Sequence, residues 1–340
     1  MILQKLTRSF LSIFILISLA ACRHRPRQIS FYYWRTVFQL NELERKAIQN
    51  NGVTTLFIRY FDVDFNPADS IPKAISPIAF NTMPGNLRIV PVVYLRNRTF
   101  YRISIDSIPT LAKAVKGLVS AINKANKIQS SELQFDCDWT EKTKNKYFLF
   151  LRQVRLLSKD SISCTIRLHQ VKYPAQMGIP PVDVGVLMFY NMGNIDTGTG
   201  NSVYEKSIAE KYSPSIKTYP LPLDLAIPIF SWSLQIRDGR VIQLLNKMSA
   251  IHFVNDSNFT PETEKRYNVN HACFRGGYYF RQGDHVKIEQ VPSSDLFDIV
   301  AQVNKYSNRS VRNLIFYDLD QRNLVLYEKN IFRKVGDCID

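Results

Sequence analysis

The sequence predicts an α/β fold: a (β/α)8 TIM barrel with an antiparallel hairpin insertion between strands seven and eight. Three observations carry this expectation. From residue 28 onward, short runs rich in β-branched and aromatic residues alternate with segments of helical spacing. Eight such runs occur, the number that closes a barrel. They are apolar with little clean alternation, as strands covered on both faces are. An open doubly wound sheet is the rival architecture, and no Gly-rich phosphate loop follows the first run to support its dinucleotide-binding form.

The elements follow in order. Residues 28–34, Gln-Ile-Ser-Phe-Tyr-Tyr-Trp, form the first strand-like run, and 41–50 set Leu43 and Ala47 on one helical face. Strand two is expected at 53–60 and strand three at 87–95, followed by an amphipathic stretch at 108–125. Strand four falls at 132–137, a helix at 145–157, strand five at 161–169, strand six at 184–190 and a helix at 203–211. Strand seven spans 223–232, a helix 295–306 and strand eight 312–318. The regularity fails over about 234–291. There Asp238-Gly239 is a hairpin signal, although 240–247 also has a loose helical spacing, and a second hairpin is expected around Gln282-Gly283. Gln321-Arg322-Asn323 suggests that the last strand turns back or extends.

The chain has 340 residues, 45% apolar and 21% charged, enough for a sizeable core, so disorder and a disulfide miniprotein are excluded. Its 44 Lys and Arg against 29 Asp and Glu give a net charge of +15, which favours anionic over cationic extended partners.

At the amino terminus Lys5 and Arg8 precede an apolar run from Phe10 that is too short for a membrane-spanning helix and ends Leu19-Ala20-Ala21-Cys22. Residues 1–21 therefore read as a lipoprotein signal peptide. The final four resemble the bacterial lipobox, in which the cysteine carries diacylglycerol and becomes the first mature residue; an ordinary signal peptide followed by Cys is the alternative. The resemblance implies lipidation of Cys22, with palmitate among its acyl chains, and attachment to a membrane of the bacterial cell envelope, on the outer membrane or a periplasmic face. Residues 22–27, with Arg23, His24, Arg25 and Arg27, form a short basic tether, and 28–340 form the barrel domain. Of the remaining cysteines, Cys137 and Cys164 lie in apolar runs as core residues, while Cys273 and Cys338 sit in loop-like contexts and could pair. No metal motif and no cofactor motif is present. Secretion argues against a nucleic-acid partner, and a monomer is expected.

The active site of a parallel barrel lies at the carboxyl ends of its strands. Those ends deliver Tyr32, Tyr33, Trp34, Asp62, Tyr94, Arg96, Asp136, Asp138, Trp139, Arg167, His169, Tyr190, Asn191, Trp232, Tyr317 and Asp318. Carboxylates, amides and aromatic rings together suit a carbohydrate, because a sugar ring offers a C–H face to aromatics and hydroxyls to polar groups. Aromatics also cap barrel strands simply as packing. Asp136 and Asp138 point to the same side of strand four, so one carboxyl should have a raised pKa and could serve as an acid, unless Arg96 or Arg167 satisfies the pair.

Leu133-Gln-Phe-Asp136-Cys-Asp138-Trp139 resembles the fourth strand of the family-18 glycoside hydrolases, the chitinase-like barrels, whose motif is DxxDxDxE. Met188-Phe-Tyr190-Asn191 is similar to their Met-x-Tyr-Asp sixth strand. The resemblance implies a barrel acting on a carbohydrate, with Asp136 and Asp138 at the second and third Asp, and Tyr190 holding the substrate's acetamido group. Leu133 stands where the first Asp belongs and Thr140 where the acid Glu belongs, with Glu141 one residue late. The stretch 28–320 also resembles an uncharacterised family of bacterial barrel proteins distantly related to these hydrolases. Its features here are the Leu-Gln-Phe-Asp-Cys-Asp strand, Tyr190-Asn-Met-Gly193, and Phe230-Ser-Trp232 before an Asp-Gly hairpin.

Two functions are expected from these residues. One is a membrane-anchored glycoside hydrolase with Asp138 as general acid and Asp136 as its electrostatic partner. Tyr33, Trp34, Tyr190 and Trp232 would then form the sugar platform, with Asp62, Arg96, Trp139, Arg167, His169, Asn191 and Asp318 around the ligand. The other is a non-catalytic glycan-binding or assembly lipoprotein on the same barrel.

Overall fold

The computed structural model describes residues 28–66, 71–309 and 311–339; the expected signal peptide, Cys22 and the basic tether lie outside them. Eight parallel strands, β1 (Gln28–Tyr33), β2 (Thr55–Asn66), β3 (Arg88–Leu95), β4 (Glu132–Asp136), β5 (Ser161–Arg167), β6 (Val184–Met188), β7 (Leu223–Pro228) and β8 (Asn313–Tyr317), pair in sequence order. β1 pairs with β8 on one edge and β2 on the other, so the sheet closes into a barrel. The chain enters β1 at its amino end, with Gln28 beside Asn313, opposite the end where the strands deliver their last side chains.

The helices cover the barrel because their sequences carry one apolar stripe each. α1 (Glu42–Asn50) is opened by Asn41, whose side chain accepts from Glu44 N at 2.9 Å while Glu44 Oε2 accepts from Asn41 N at 3.1 Å. α2 (Ile108–Ala125) has Pro109 in its first turn and buries Ile108, Leu111, Ala112, Val115 and Val119. α3 (Lys144–Leu157) buries Tyr147, Phe148, Phe150, Leu151 and Val154, and α4 (Ser293–Tyr306) buries Leu296, Ile299, Val300 and Val303. Among the described residues no helix joins β2 to β3. Instead β2 runs past the barrel and pairs antiparallel with Ile71–Ile75.

Between β7 and α4 lies a five-stranded antiparallel sheet in the order Arg240–Asn246, Trp232–Arg237, His285–Glu289, Arg266–Val269, Phe259–Thr263. It has its own core of Leu245, Met248, Phe253, Phe259, Tyr267, Val269, Phe280, Val286 and Ile288, a cluster distinct from the barrel's. The Asp238-Gly239 turn takes positive φ at both residues, 49° and 70°, so 240–247 is a hairpin strand and not a helix. The turn expected at Gln282-Gly283 is present, with Asp284 N donating to Arg281 O at 3.1 Å, but its flanking strands do not pair with each other: Cys273–Arg275 pairs with Tyr278–Phe280 across Gly276-Gly277, and His285–Glu289 leaves to pair with Trp232–Ile236. After β8 the chain forms the short helix Gln321–Leu324, because Asp320 accepts from Arg322 N and caps it, so the last strand does not turn back. Cys273, in the inserted sheet, and Cys338, near the carboxyl terminus, are both unpaired, as are Cys137 and Cys164 in the core.

Candidate functional site

The carboxyl ends of β1, β3, β4, β5, β6 and β8 enclose a cleft of about 230 Å³. Its walls are largely aromatic. Trp34, half-buried just past β1, meets the rings of Tyr32 at 5.9 Å, Tyr94 at 6.4 Å and Tyr317 at 5.5 Å, each near edge-on. Across from it Tyr190 stacks on Tyr317 with centroids 5.5 Å apart and planes 24° apart. Tyr32 is held upright inside the barrel by donating its hydroxyl to Gln134 Oε1 at 2.6 Å. The Tyr190 hydroxyl is buried, lines the cleft and has no hydrogen-bond partner in the protein. A buried hydroxyl left unmatched costs free energy, and a ligand oxygen in the cleft would recover it.

The carboxyls all come from one strand. Asp136 is 8% exposed and accepts from Thr165 Oγ1 at 2.6 Å. Burial, then the neighbouring Asp138 carboxylate, push its pKa up to about 6. Asp138 lies on the solvent side of the cleft. Arg167 grips it by Nε to Oδ1 at 2.6 Å and Nη2 to Oδ2 at 3.0 Å, a two-pronged guanidinium–carboxylate pair. Arg167 thus satisfies one of the two aspartates, and the acid candidate is Asp136, not Asp138. Facing them, Tyr190, Asn191 and Tyr317 carry no carboxyl. Asn191 takes φ of 54°, a left-handed turn that asparagine tolerates, and this swings the chain away after β6.

Of the residues the sequence assigned to a site, the cleft brings together Trp34, Asp136, Asp138, Arg167, Tyr190 and Asn191. The others lie elsewhere. Tyr33 points outward, donating to Val37 O and packing on Phe38; its neighbour Tyr32 points in. Asp62 is held by Arg59 Nε at 2.6 Å, and Arg96 is drawn to Asp62 and Asp64, both in the carboxyl-terminal half of β2. Trp139 is buried beneath the cleft, stacked on Tyr147 and donating to Met177 O, because the regular strand stops at Asp136. His169 sits exposed on the helix Leu168–Lys172, which begins where strand five was expected to continue. Trp232 opens the inserted sheet and donates its indole N–H to Glu289 at 2.8 Å. Asp318, joined to Tyr317 by a cis peptide bond, is buried against Lys247 and Asn323. Tyr32, Tyr94, Thr165, Met188 and Tyr317 complete the lining without having been assigned to it. Tyr32, Tyr94 and Tyr317 were visible as aromatic strand ends and Met188 as the first residue of the Met188-Phe-Tyr190-Asn191 element; Thr165 carried no signal of its own.

Thr140, where the resemblance expects an acid, bonds Thr143 and Tyr101 through its hydroxyl, and Glu141 turns outward to Gln176.

No protein-family model and no curated protein matches the sequence. Solved structures do match over nearly the whole chain. The spore cortex-lytic enzyme SleL of Bacillus cereus aligns at a TM-score of 0.54 and 13% identity, over 92% of this chain and 74% of that one. A chitinase from Rhizomucor miehei aligns at 0.51 and 12% identity over 91% and 100%, and chitinase ChiA74 from Bacillus thuringiensis at 0.51 and 10% over 86% and 66%. The fold is that of the chitinase-like barrels. At these identities the likeness speaks for architecture, and the chemistry has to be read from the cleft itself.

Proposed function

We propose that this protein binds a carbohydrate at the carboxyl end of its barrel without hydrolysing it, and does so at a bacterial envelope membrane to which Cys22 is lipid-linked. One observation carries the first part: both carboxyls of the cleft, Asp136 and Asp138, rise from the same strand, and the other residues that line it carry no carboxyl. Two-carboxyl glycoside cleavage needs the groups on opposite sides of the scissile bond, and the substrate-assisted route needs an acid where Thr140 stands. The aromatic walls, the unmatched Tyr190 hydroxyl and a volume below the roughly 300–1,000 Å³ of drug-sized pockets fit one sugar ring. Matches to structures described as chitinases and a cortex-lytic enzyme support a carbohydrate as the ligand class. The lipobox-like Leu19-Ala-Ala-Cys22 supports the anchor.

The raised pKa of Asp136 favours a second reading, hydrolysis with Asp136 as the acid. Calorimetry and product analysis on a panel of bacterial and host glycans separate the two. Binding without products, weakened by Trp34→Ala, is the expected result. Release of shortened glycans by the wild type and not by Asp136→Asn would overturn the binding-only reading.

A further inference from the structure

A second cavity, of about 400 Å³, lies at the seam between the barrel and the inserted sheet. One wall is the loop after β6, at Thr199, Gly200 and Asn201; the other is the turn Thr263–Arg266 and the strand bearing Lys287. The loop closes on itself through Asn191 N to Val203 O at 2.8 Å and Gly193 N to Ser202 O at 3.2 Å, so the cleft lies at its root and this cavity along its length.

Three cations line the cavity, and they differ in what they face. Lys287 is almost wholly buried and is spent on Glu289, 2.8 Å away, with Asp196 O at 3.2 Å and the exposed Asp196 carboxylate at 4.0 Å. Glu289 in turn accepts from Trp232 and Ser202, so this pair is built into the wall. Arg266 is different. Its guanidinium donates to the carbonyls of Thr197 and Gly198, and among the described residues no carboxylate pairs with it. Lys265, exposed beside it, also makes no ion pair; Asp295 is near enough to feel its charge, and Glu264 is the one acid in the lining. A guanidinium fixed by neutral carbonyls keeps its remaining N–H groups and its full charge for an incoming anion. Thr199, Thr263 and Glu264 supply groups for hydroxyls around it, while the Asn201 amide is spent on Gln290 O and Val203 N.

We propose that this second cavity binds an anionic group, a carboxylate or phosphate carried on a sugar-sized molecule, with Arg266 and Lys265 as its grip. The chemistry is the same whether the anion is a free small molecule or an acidic unit of a longer glycan, and it does not depend on what the cleft binds.

The test titrates the detergent-solubilised full chain with glucuronate, glucose 6-phosphate, neutral glucose and an alginate hexamer, reading calorimetry and tryptophan fluorescence, since Trp232 touches Glu289. The two acids should bind about tenfold or more tighter than glucose, and weaken about tenfold in Lys265→Gln/Arg266→Gln and on raising salt from about 50 to about 500 mM. Lys265→Glu, an exposed charge reversal, repeats the test should the double variant not fold. Trp34→Ala should leave the anions unaffected. A hexamer that binds tighter than the monomer points to a polymeric source, and equal affinity to a free small molecule, both within the proposal. Equal binding of glucose and its acids, no binding of either acid, or anion binding that survives the substitutions or is lost with Trp34 would overturn it.

Discussion

Arg167 holds Asp138 with two parallel hydrogen bonds, while Asp136, two residues back on the same side of the chain, receives only the hydroxyl of Thr165. The motif's two carboxyls therefore live in different electrical environments. Asp138 is fixed as an exposed carboxylate facing a guanidinium, and Asp136 is buried and inclined to keep its proton. Arg167 also steadies charge on Asp136. Replacing it with Met removes that cation, so the Asp136 pKa should rise further above about 6. Carboxyl NMR titration of wild type and Arg167→Met checks this; an unchanged or lower value would mean that the cation does not reach Asp136.

Asp136 should also cost stability at neutral pH. Its folded pKa is raised, so the native state binds more protons than the unfolded chain between about pH 4 and 6, and stability falls as the pH rises through that window. Asp136→Asn keeps an acceptor for Thr165 and removes the charge. It should be more stable than the wild type at pH 7.5, by up to about 3 kcal/mol and with a higher melting temperature, the gain vanishing near pH 4. Thermal unfolding at the two pH values decides.

Tyr190→Phe should show effects of opposite sign. Removing a buried hydroxyl without a partner should stabilise the free protein by about 1 kcal/mol, while glycan affinity falls about tenfold as the waiting donor is lost. Melting curves and calorimetry on the same samples test both halves. Lower stability of the free variant would mean that the hydroxyl already has a partner, such as ordered water.

Lys247 reaches from the inserted sheet to Asp318 at 3.1 Å and Asp320 at 2.7 Å, both carboxylates being buried. Lys247→Met leaves Asp318 without a cation and Asp320 with Arg322 alone, and should cost about 3 kcal/mol at pH 7. Asp320 is held low, chiefly by Arg322 and Lys247 acting against the effect of its burial, so its contribution is present above about pH 4 and fades as the pH falls through its low folded value. The penalty should therefore shrink in acid, which denaturant melts at pH 7 and pH 3 would reveal.

On the proposed lipid linkage, Cys22→Ser expressed in a bacterium should abolish incorporation of labelled palmitate and move the protein out of the membrane fraction. Retention of the label would place the acyl chain on another residue.

The barrel was legible because its order depends on local pattern: eight buried runs separated by amphipathic stretches admit few closed arrangements. The parity of each strand was not. In β1 every residue after Gln28 is buried, so nothing in Ser-Phe-Tyr-Tyr tells which tyrosine faces the barrel axis, and the choice fell on Tyr33 instead of Tyr32. Asp136 and Asp138 were found because the strand's alternation and their spacing agree. Which arginine satisfies Asp138 was open between Arg96 and Arg167, since β3 and β5 both flank β4, and it was settled by Asp62 and Asp64 drawing Arg96 away. Trp232 and Asp318 were lost to partners far off in sequence, Glu289 and Lys247, supplied by the inserted sheet. Contacts of that range leave no periodic trace.

The direction in which the chain enters β1 gives the molecule an outlook. Gln28 stands at the amino end of the barrel, and the six residues from Cys22 to Arg27 span at most about 20 Å. A lipid tether at Cys22, as proposed, would keep the amino end toward the bilayer and turn the cleft away from it, so that the carbohydrate site proposed there would face polymers of the surrounding matrix and not sugars on lipid carriers in its own leaflet.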